Sequence, residues 1–164
     1  MMTDGDSAAA WEEEVVDGET RSVRARYGTF SSEEAGGRMR VSSGGTWETM
    51  VGYSRAVRVG PHVYVAGSTA TAEDGSVLFP GDAYSQARVT LEKIQAALSH
   101  AGARMEDVVR TRMYVTDIGQ WEAFGRAHGE FFAHVRPAAT MVEVRALIDP
   151  DMLVEIEVEA YVAP

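Results

Sequence analysis

Near the C-terminus three glutamates, Glu155, Glu157 and Glu159, alternate with Val154, Ile156, Val158 and Ala160. That period of two puts the carboxylates on one face of a strand and the apolar residues on the other. A carboxylate lodged in a crevice on such a face can hold a water and take its proton, the work of a general base. Burial would raise its pKa toward the range that suits a base near neutrality. The same three are a poor metal site, because alternate strand positions stand about 7 Å apart and nothing nearby completes a ligand set. His128 shares a helical stripe with Trp121, Phe124 and Phe131. It fits either a core or interface histidine or a proton shuttle and ligand contact. His62, His100 and His134 fall at a turn or at helix ends. Ser54 and Thr140 lack a histidine–carboxylate arrangement, so hydroxyl nucleophiles are not expected. The chain has no cysteine, which excludes disulfides, thiol nucleophiles and thiolate metal sites. Only Lys93 of the fifteen basic residues is a lysine, so one Schiff-base candidate remains. Gly36-Gly37 and Gly44-Gly45 precede no strand-to-helix turn, so no phosphate-cradling loop is read.

The net charge of −10 decides what such groups could act on. Nucleic-acid affinity comes largely from basic side chains displacing counterions at phosphates, and this chain would be repelled. Anionic membranes are disfavoured for the same reason. Small metabolites or protein partners remain. No stretch approaches 18 consecutive apolar residues, and the acidic N-terminal stretch lacks the basic and apolar regions of a secretory signal. A cytoplasmic protein is expected.

These residues must be positioned by one domain of ordinary size. Residues 1–45 carry scattered apolar side chains and many acids, and end in the hinge-like Ser42-Ser43-Gly44-Gly45. They are expected to be an acidic extension, either a flexible tail or a docked arm using Trp11 and Val15. Residues 46–164 form the domain. Trp47–Tyr53, Arg55–Val59 and His62–Ala66 read as strands, with a turn at Gly60-Pro61. Asp82 is a plausible N-cap for a helix whose Ala83, Ala87, Leu91, Ile94, Leu98 and Ala101 recur at spacings of three and four, closed by Gly102. Val108–Val115 reads as a strand and 118–134 as a second helix with Trp121, Phe124, His128, Phe131 and Val135 on its stripe, ended by Arg136-Pro137. Ala138–Val144 and the glutamate strand complete the order β-β-β-α-β-α-β-β. Two helices over one face of a mixed sheet give a two-layer α+β domain. Met113, Met141, Val142 and Val144 cannot all face two helices, so the sheet's other face is expected to be buried in an oligomer.

Four segments together carry a resemblance: residues 52–67 (GYSRAVRVGPHVYVAG), 82–118, 136–144 (RPAATMVEV) and 152–160 (MLVEIEVEA). They resemble the Rid family, also called YjgF-type proteins, from about Thr46 to Pro164. The resemblance implies a chorismate-mutase-like fold, a homotrimer whose sheets pack into a central barrel, and a ligand pocket between subunits. It also implies hydrolysis of reactive imines and enamines, such as 2-aminoacrylate, to a keto acid and ammonia, with no metal or organic cofactor. Glu157 falls where the family's water-holding glutamate lies, and Tyr53 where a tyrosine closes the pocket. Gly67 and Met141 match positions whose backbone N–H groups contact ligand. Ala139 stands in place of the arginine that forks the substrate carboxylate, Ala66 in place of a serine, and Gly125 in place of an asparagine. Losing a bidentate carboxylate anchor costs roughly 2–5 kcal/mol.

Another arginine has to be sought. Arg145 stands about 20 Å along the strand from Ala139, too far to substitute. Arg136 lies three residues before Ala139, and Arg55 shares an extended face with Tyr53. The candidate site is therefore Glu157 as catalytic residue, with Tyr53, Arg55, Gly67, His128, Arg136, Thr140 and Met141 as ligand contacts. Two readings stand: a cofactor-independent imine or enamine hydrolase, or a protein that binds a small ligand in the same pocket without turnover. RNA cleavage is a remote third.

Overall fold

The computed structural model describes residues 29–164 and, before them, a two-stranded ribbon of β1 (Glu14–Val16) and β2 (Glu19–Arg21). Of the proposed Trp11–Val15 docking pair, Trp11 lies outside the described residues. A seven-stranded mixed sheet holds β3 (Ser31–Ala35), β4 (Arg38–Ser42), β5 (Ala56–Val59), β6 (His62–Ser68), β7 (Val108–Val115), β8 (Ala138–Glu143) and β9 (Val154–Tyr161). Their order is β3-β4-β5-β6-β9-β7-β8, antiparallel throughout except for the parallel pair β7–β8. Helices α2 (Ala83–His100) and α3 (Trp121–Phe132) cover one face, and a short α1 (Thr46–Val51) joins β4 to β5.

Alternation in β9 does what its sequence requires. Val154, Ile156, Val158 and Ala160 are buried beneath the helices, beside Val63 and Val65 of β6 and Met113 and Val115 of β7. Helix α2 answers with Ala87, Leu91, Ile94 and Leu98, and α3 with Phe124, Ala127 and Phe132. Each large side chain so buried contributes about 1.5–3 kcal/mol. Asp82 caps α2 by accepting from the Ser85 amide at 3.0 Å. At the other end Gly102, with φ 71°, lets Ala103 N–H reach the Leu98 carbonyl at 2.9 Å, a Schellman closure. Side chains tie the helix down as well. Gln86 donates to the Phe79 and Asp151 carbonyls and accepts from Leu153 N–H, and Arg58 donates to the Ala101 and Gly102 carbonyls.

Four expectations need correction. Residues 46–51 are helical, not extended: Trp47, Met50 and Val51 have the three-and-four spacing of a helix, and Gly52 ends it at φ 85°. The sheet begins before residue 46, because β3 and β4 form a hairpin whose second strand pairs with β5. Trp121 is 56% exposed at the start of α3, outside the buried stripe. Of Met113, Met141, Val142 and Val144, exposed Val142 does lie on the uncovered face, paired with Tyr114, but Met113 and Met141 do not. Met113 lies on the helix side, and Met141 packs against the core. The uncovered face also carries Tyr64, Arg112, Tyr114, Glu155, Glu157 and Glu159, the alternate positions of β6, β7 and β9. Among the described residues, no helix is long and apolar enough to cross a membrane.

Candidate functional site

The ladder between β6 and β9 pairs Val65 with Val158, then resumes at Ser68 with Ile156, so β6 carries one extra residue at Ala66-Gly67. Such a bulge re-aims the chain and its side chains. Here Gly67 lies so close to the Glu155 carboxylate that a Cβ on it would stand 2.2 Å from Oε1. Arg55, only 8% exposed, reaches the bulge from the loop before β5. Its Nη1 donates to the Gly67 carbonyl at 2.7 Å and to Ser68 Oγ at 2.9 Å, and its Nη2 donates to Tyr53 Oη at 2.8 Å. Its Nε faces Glu48 Oε1 at 3.6 Å. Glu48 is buried on α1 and accepts from Ser42 Oγ at 2.6 Å, from the Ser43 amide at 3.1 Å and from the Ser43 hydroxyl. Burial alone would raise its carboxyl, but those bonds and Arg55 hold it below the usual value.

Around this network opens a cavity of about 540 Å³. Trp47, Val51 and Ile148 form an exposed apolar rim, Tyr53 and Met152 line its walls, and Arg55, Gly67, Lys93 and Glu155 bring the polar groups. Lys93, from α2, donates to the Thr69 carbonyl at 2.8 Å, the Thr71 carbonyl at 3.0 Å and Thr71 Oγ1 at 2.8 Å. Burial, helped by Arg55, brings its ammonium down to about 7. Burial pushes the Glu155 carboxyl up; Arg55 opposes this and Glu157 adds to it. Among the described residues, Glu155 receives no hydrogen bond.

A second, shallower depression of about 740 Å³ lies on the uncovered sheet face and shares Tyr53 and Ala66 with the first. Arg38 and Arg40 stand on one side of it, and Arg112, Glu157 and Glu159 on the other. Glu157 is held through a single oxygen: Oε1 accepts from Arg112 Nη1 at 3.2 Å and from Tyr114 Oη at 3.0 Å. Arg112 also donates to Glu159 Oε1 at 2.8 Å.

The structure thus brings Tyr53, Arg55 and Gly67 together in one cavity and sets Glu157 across the Tyr53–Ala66 partition. It does not bring the other four candidates there. His128 faces the sheet, with Nε2 2.9 Å from Thr111 Oγ1 and its ring 4.7 Å from that of Phe132; burial lowers its pKa. Arg136 is exposed just beyond α3, at φ 54°, with its N–H bonded to the Phe132 carbonyl. Thr140 is exposed on the edge strand β8, and Met141 packs on the core. Neither cavity of the single chain reaches any of these four. Three contributors were not read as site residues from the sequence: Trp47, Lys93 and Glu155. Lys93 had one signal, its solitude among arginines. Glu155 shares the alternation of Glu157, which fixes a face of the sheet but not a place along the strand.

A seven-stranded mixed sheet with helices on one face and a cavity built at the bulge of β6 defines a two-layer α+β protein of the YjgF type. The chain belongs to the family described as endoribonuclease L-PSP, the YjgF/Rid group, whose model matches residues 46–162. A crystal structure of a Mycobacterium tuberculosis member of the YjgF/YER057c/UK114 family is 52% identical, with a TM-score of 0.69, covering 76% of this chain and 99% of that one. An uncharacterized protein of Streptomyces coelicolor is 42% identical over 123 residues, 74% of this chain and 90% of the relative. The 3-aminoacrylate deaminase RutC of Acinetobacter baylyi is 35% identical over 118 residues, 72% of this chain and 93% of the relative. The family to which the chain belongs therefore includes an enamine deaminase.

Proposed function

We propose that this protein is a cytoplasmic, cofactor-independent hydrolase of reactive imines or enamines, acting where the two cavities meet at Tyr53 and Ala66. The observation that carries this is the tethering of Glu157 through one oxygen. Arg112 and Tyr114 fix Oε1, and among the described residues Oε2 makes no hydrogen bond. An oriented carboxylate with one free oxygen can hold a water by one proton and accept that proton as the oxygen attacks. The substrate supplies the rest, because an iminium carbon is already electrophilic. Water adds to that carbon, Glu157 takes one of its protons and returns it to nitrogen, and the carbinolamine collapses as the C–N bond breaks and its hydroxyl proton passes to the departing ammonia. The sum is R₂C=NH₂⁺ + H₂O → R₂C=O + NH₄⁺, with no change of oxidation state. The relationship to the Acinetobacter deaminase supports the reaction class.

In this reading three copies associate through their uncovered sheet faces. The free edge β8 of one copy then brings Arg136, Thr140 and Met141 toward the cavity of the next. Ammonia release from imines generated in situ tests the function. Glu157→Gln should lower it by about 100-fold or more, the worth of a positioned base. Undiminished release in that variant would remove the proposal.

One observation favours ligand binding without turnover. The donors of Arg55 and Lys93 are occupied by protein acceptors, so they offer no fork for a substrate carboxylate. Binding of a small ligand with no ammonia release from any imine would establish this reading. RNA cleavage, the activity in the family's name, fits poorly with a net charge of −10 and with Arg110 and Arg112 paired to glutamates.

A further inference from the structure

The charges of the bulge cavity are unevenly committed. Arg55 gives Nη1 to Gly67 and Ser68 and Nη2 to Tyr53, while Nε faces Glu48. A carboxylate is forked by two neighbouring donors on one guanidinium edge. Each edge of Arg55 contains either Nη1 or Nε, so neither is open. Lys93 delivers its ammonium to Thr69 and Thr71. Arg38 and Arg40 belong to the neighbouring depression, not to this cavity. The acids are in the opposite state. Glu73 and Glu155 line the cavity, and Glu155 receives no hydrogen bond among the described residues. With Glu48 under Arg55, three carboxylates stand against at most two cations. The cavity that Glu155 lines with Gly67 and Arg55 also has apolar and aromatic walls from Trp47, Tyr53, Val51, Ile148 and Met152. An open carboxylate next to aromatic faces is the chemistry that holds an organic cation.

We propose that the cavity selects a protonated, carboxylate-free ligand, with its cationic nitrogen at Glu155 and an apolar body against Trp47, Val51 and Ile148. The inference rests on the reading of the protein as an imine hydrolase and names its substrate class. The substrate is the iminium ion of a simple amine, R₂C=NH₂⁺, and not that of an amino acid. Within one chain, a carboxylate on the ligand would meet Glu155 and Glu73, with the donors of Arg55 and Lys93 already committed to protein acceptors. The reaction that supplies this substrate is the two-electron oxidation of a primary amine, and hydrolysis yields an aldehyde or ketone and ammonium.

Isothermal titration calorimetry at pH 7 tests the selection without relying on turnover. The probes are 2-phenylethylammonium and 3-phenylpropionate, which share an apolar body and differ in charge. The ammonium ion should bind about tenfold or more tightly than the carboxylate, the worth of a charge-assisted contact. Glu155→Gln should abolish that preference while leaving the melting temperature near that of the parent. Tighter binding of the carboxylate, unchanged ammonium binding in Glu155→Gln, or binding of neither ion would overturn the inference. A parallel assay compares ammonia release from amine-derived and amino-acid-derived imines. Ammonium binding without release from either would sink the hydrolase reading and leave the selectivity standing. Release from amino-acid imines without ammonium binding would do the reverse.

Discussion

Lys93 offers a direct measurement of how the cavity treats charge. Burial, with Arg55 nearby, brings its ammonium to about 7 from 10.5. The folded chain then holds fewer protons than the unfolded chain between those values, so stability rises with pH across that window. Each unit of the window is worth up to about 1.4 kcal/mol. From pH 7.5 to 9.5 the folded lysine is mostly neutral and the unfolded one mostly charged, which gives about 2 kcal/mol in total. Tyrosines also titrate near the upper end of this range, so the comparison is with Lys93→Met, which lacks the lysine but keeps them. Urea unfolding at several pH values should show the parent gaining about 2 kcal/mol relative to this variant between pH 7.5 and 9.5. The chain has a single lysine, so protein labelled with ¹³C at lysine Cε should give one resonance, titrating near 7. A midpoint above 9, with a flat stability difference, would refute the reasoning. It would show that the three oxygens of Thr69 and Thr71 hold the ammonium more strongly than burial expels its charge.

Further outcomes follow from neighbouring contacts. Glu48→Ala should cost about 3 kcal/mol in urea unfolding, because it leaves buried Arg55 without its carboxylate. With its pKa lowered by folding, Glu48 stabilises the parent above pH 4.5, and the parent's advantage over that variant should shrink on acidification. Gly67→Ala should cost about 1 kcal/mol, because the new methyl must push Glu155 aside; adding Glu155→Ala should recover most of this, as a double-mutant cycle will show. His128 is held neutral by burial, so the folded protein should lose stability as pH falls below 6.5. His128→Leu should remove that loss in thermal melts between pH 5 and 7.

Periodicity made the helix-and-sheet frame legible. In β9 the alternation of apolar and acidic residues fixed which face enters the core, and in α2 the spacing from Ala83 to Leu98, with Asp82 and Gly102, fixed both ends. Failures came where tertiary contacts decide. Six residues from Thr46 are too few for one period to dominate, and what stabilises α1 is Glu48 reaching back to Ser42 and Ser43. In β3 every residue is exposed, so the strand carries no buried pattern and exists through its backbone pairing with β4. The site suffered most from the extra residue at Ala66-Gly67, which shifts register after Val65 and puts Glu155, not Glu157, against Gly67. Nothing in the spacing announces a bulge. For Arg55, the shared face with Tyr53 was readable, but its ties to Ser68 and Glu48 join residues distant in sequence.

Because Gln86 and Arg58 pin α2 near its two ends, that helix and the strands beneath it should exchange their amide protons last. The cavity leans on this slow unit through Lys93 and on a different one through Trp47 and Val51, which ride a two-turn helix with its flank in water. The two walls are therefore expected to differ in rigidity, with the Trp47 side exchanging its amide protons before the Lys93 side. A ligand would enter by displacing tryptophan and valine while the acidic floor stays still, so entry rate and binding strength can be altered by separate substitutions.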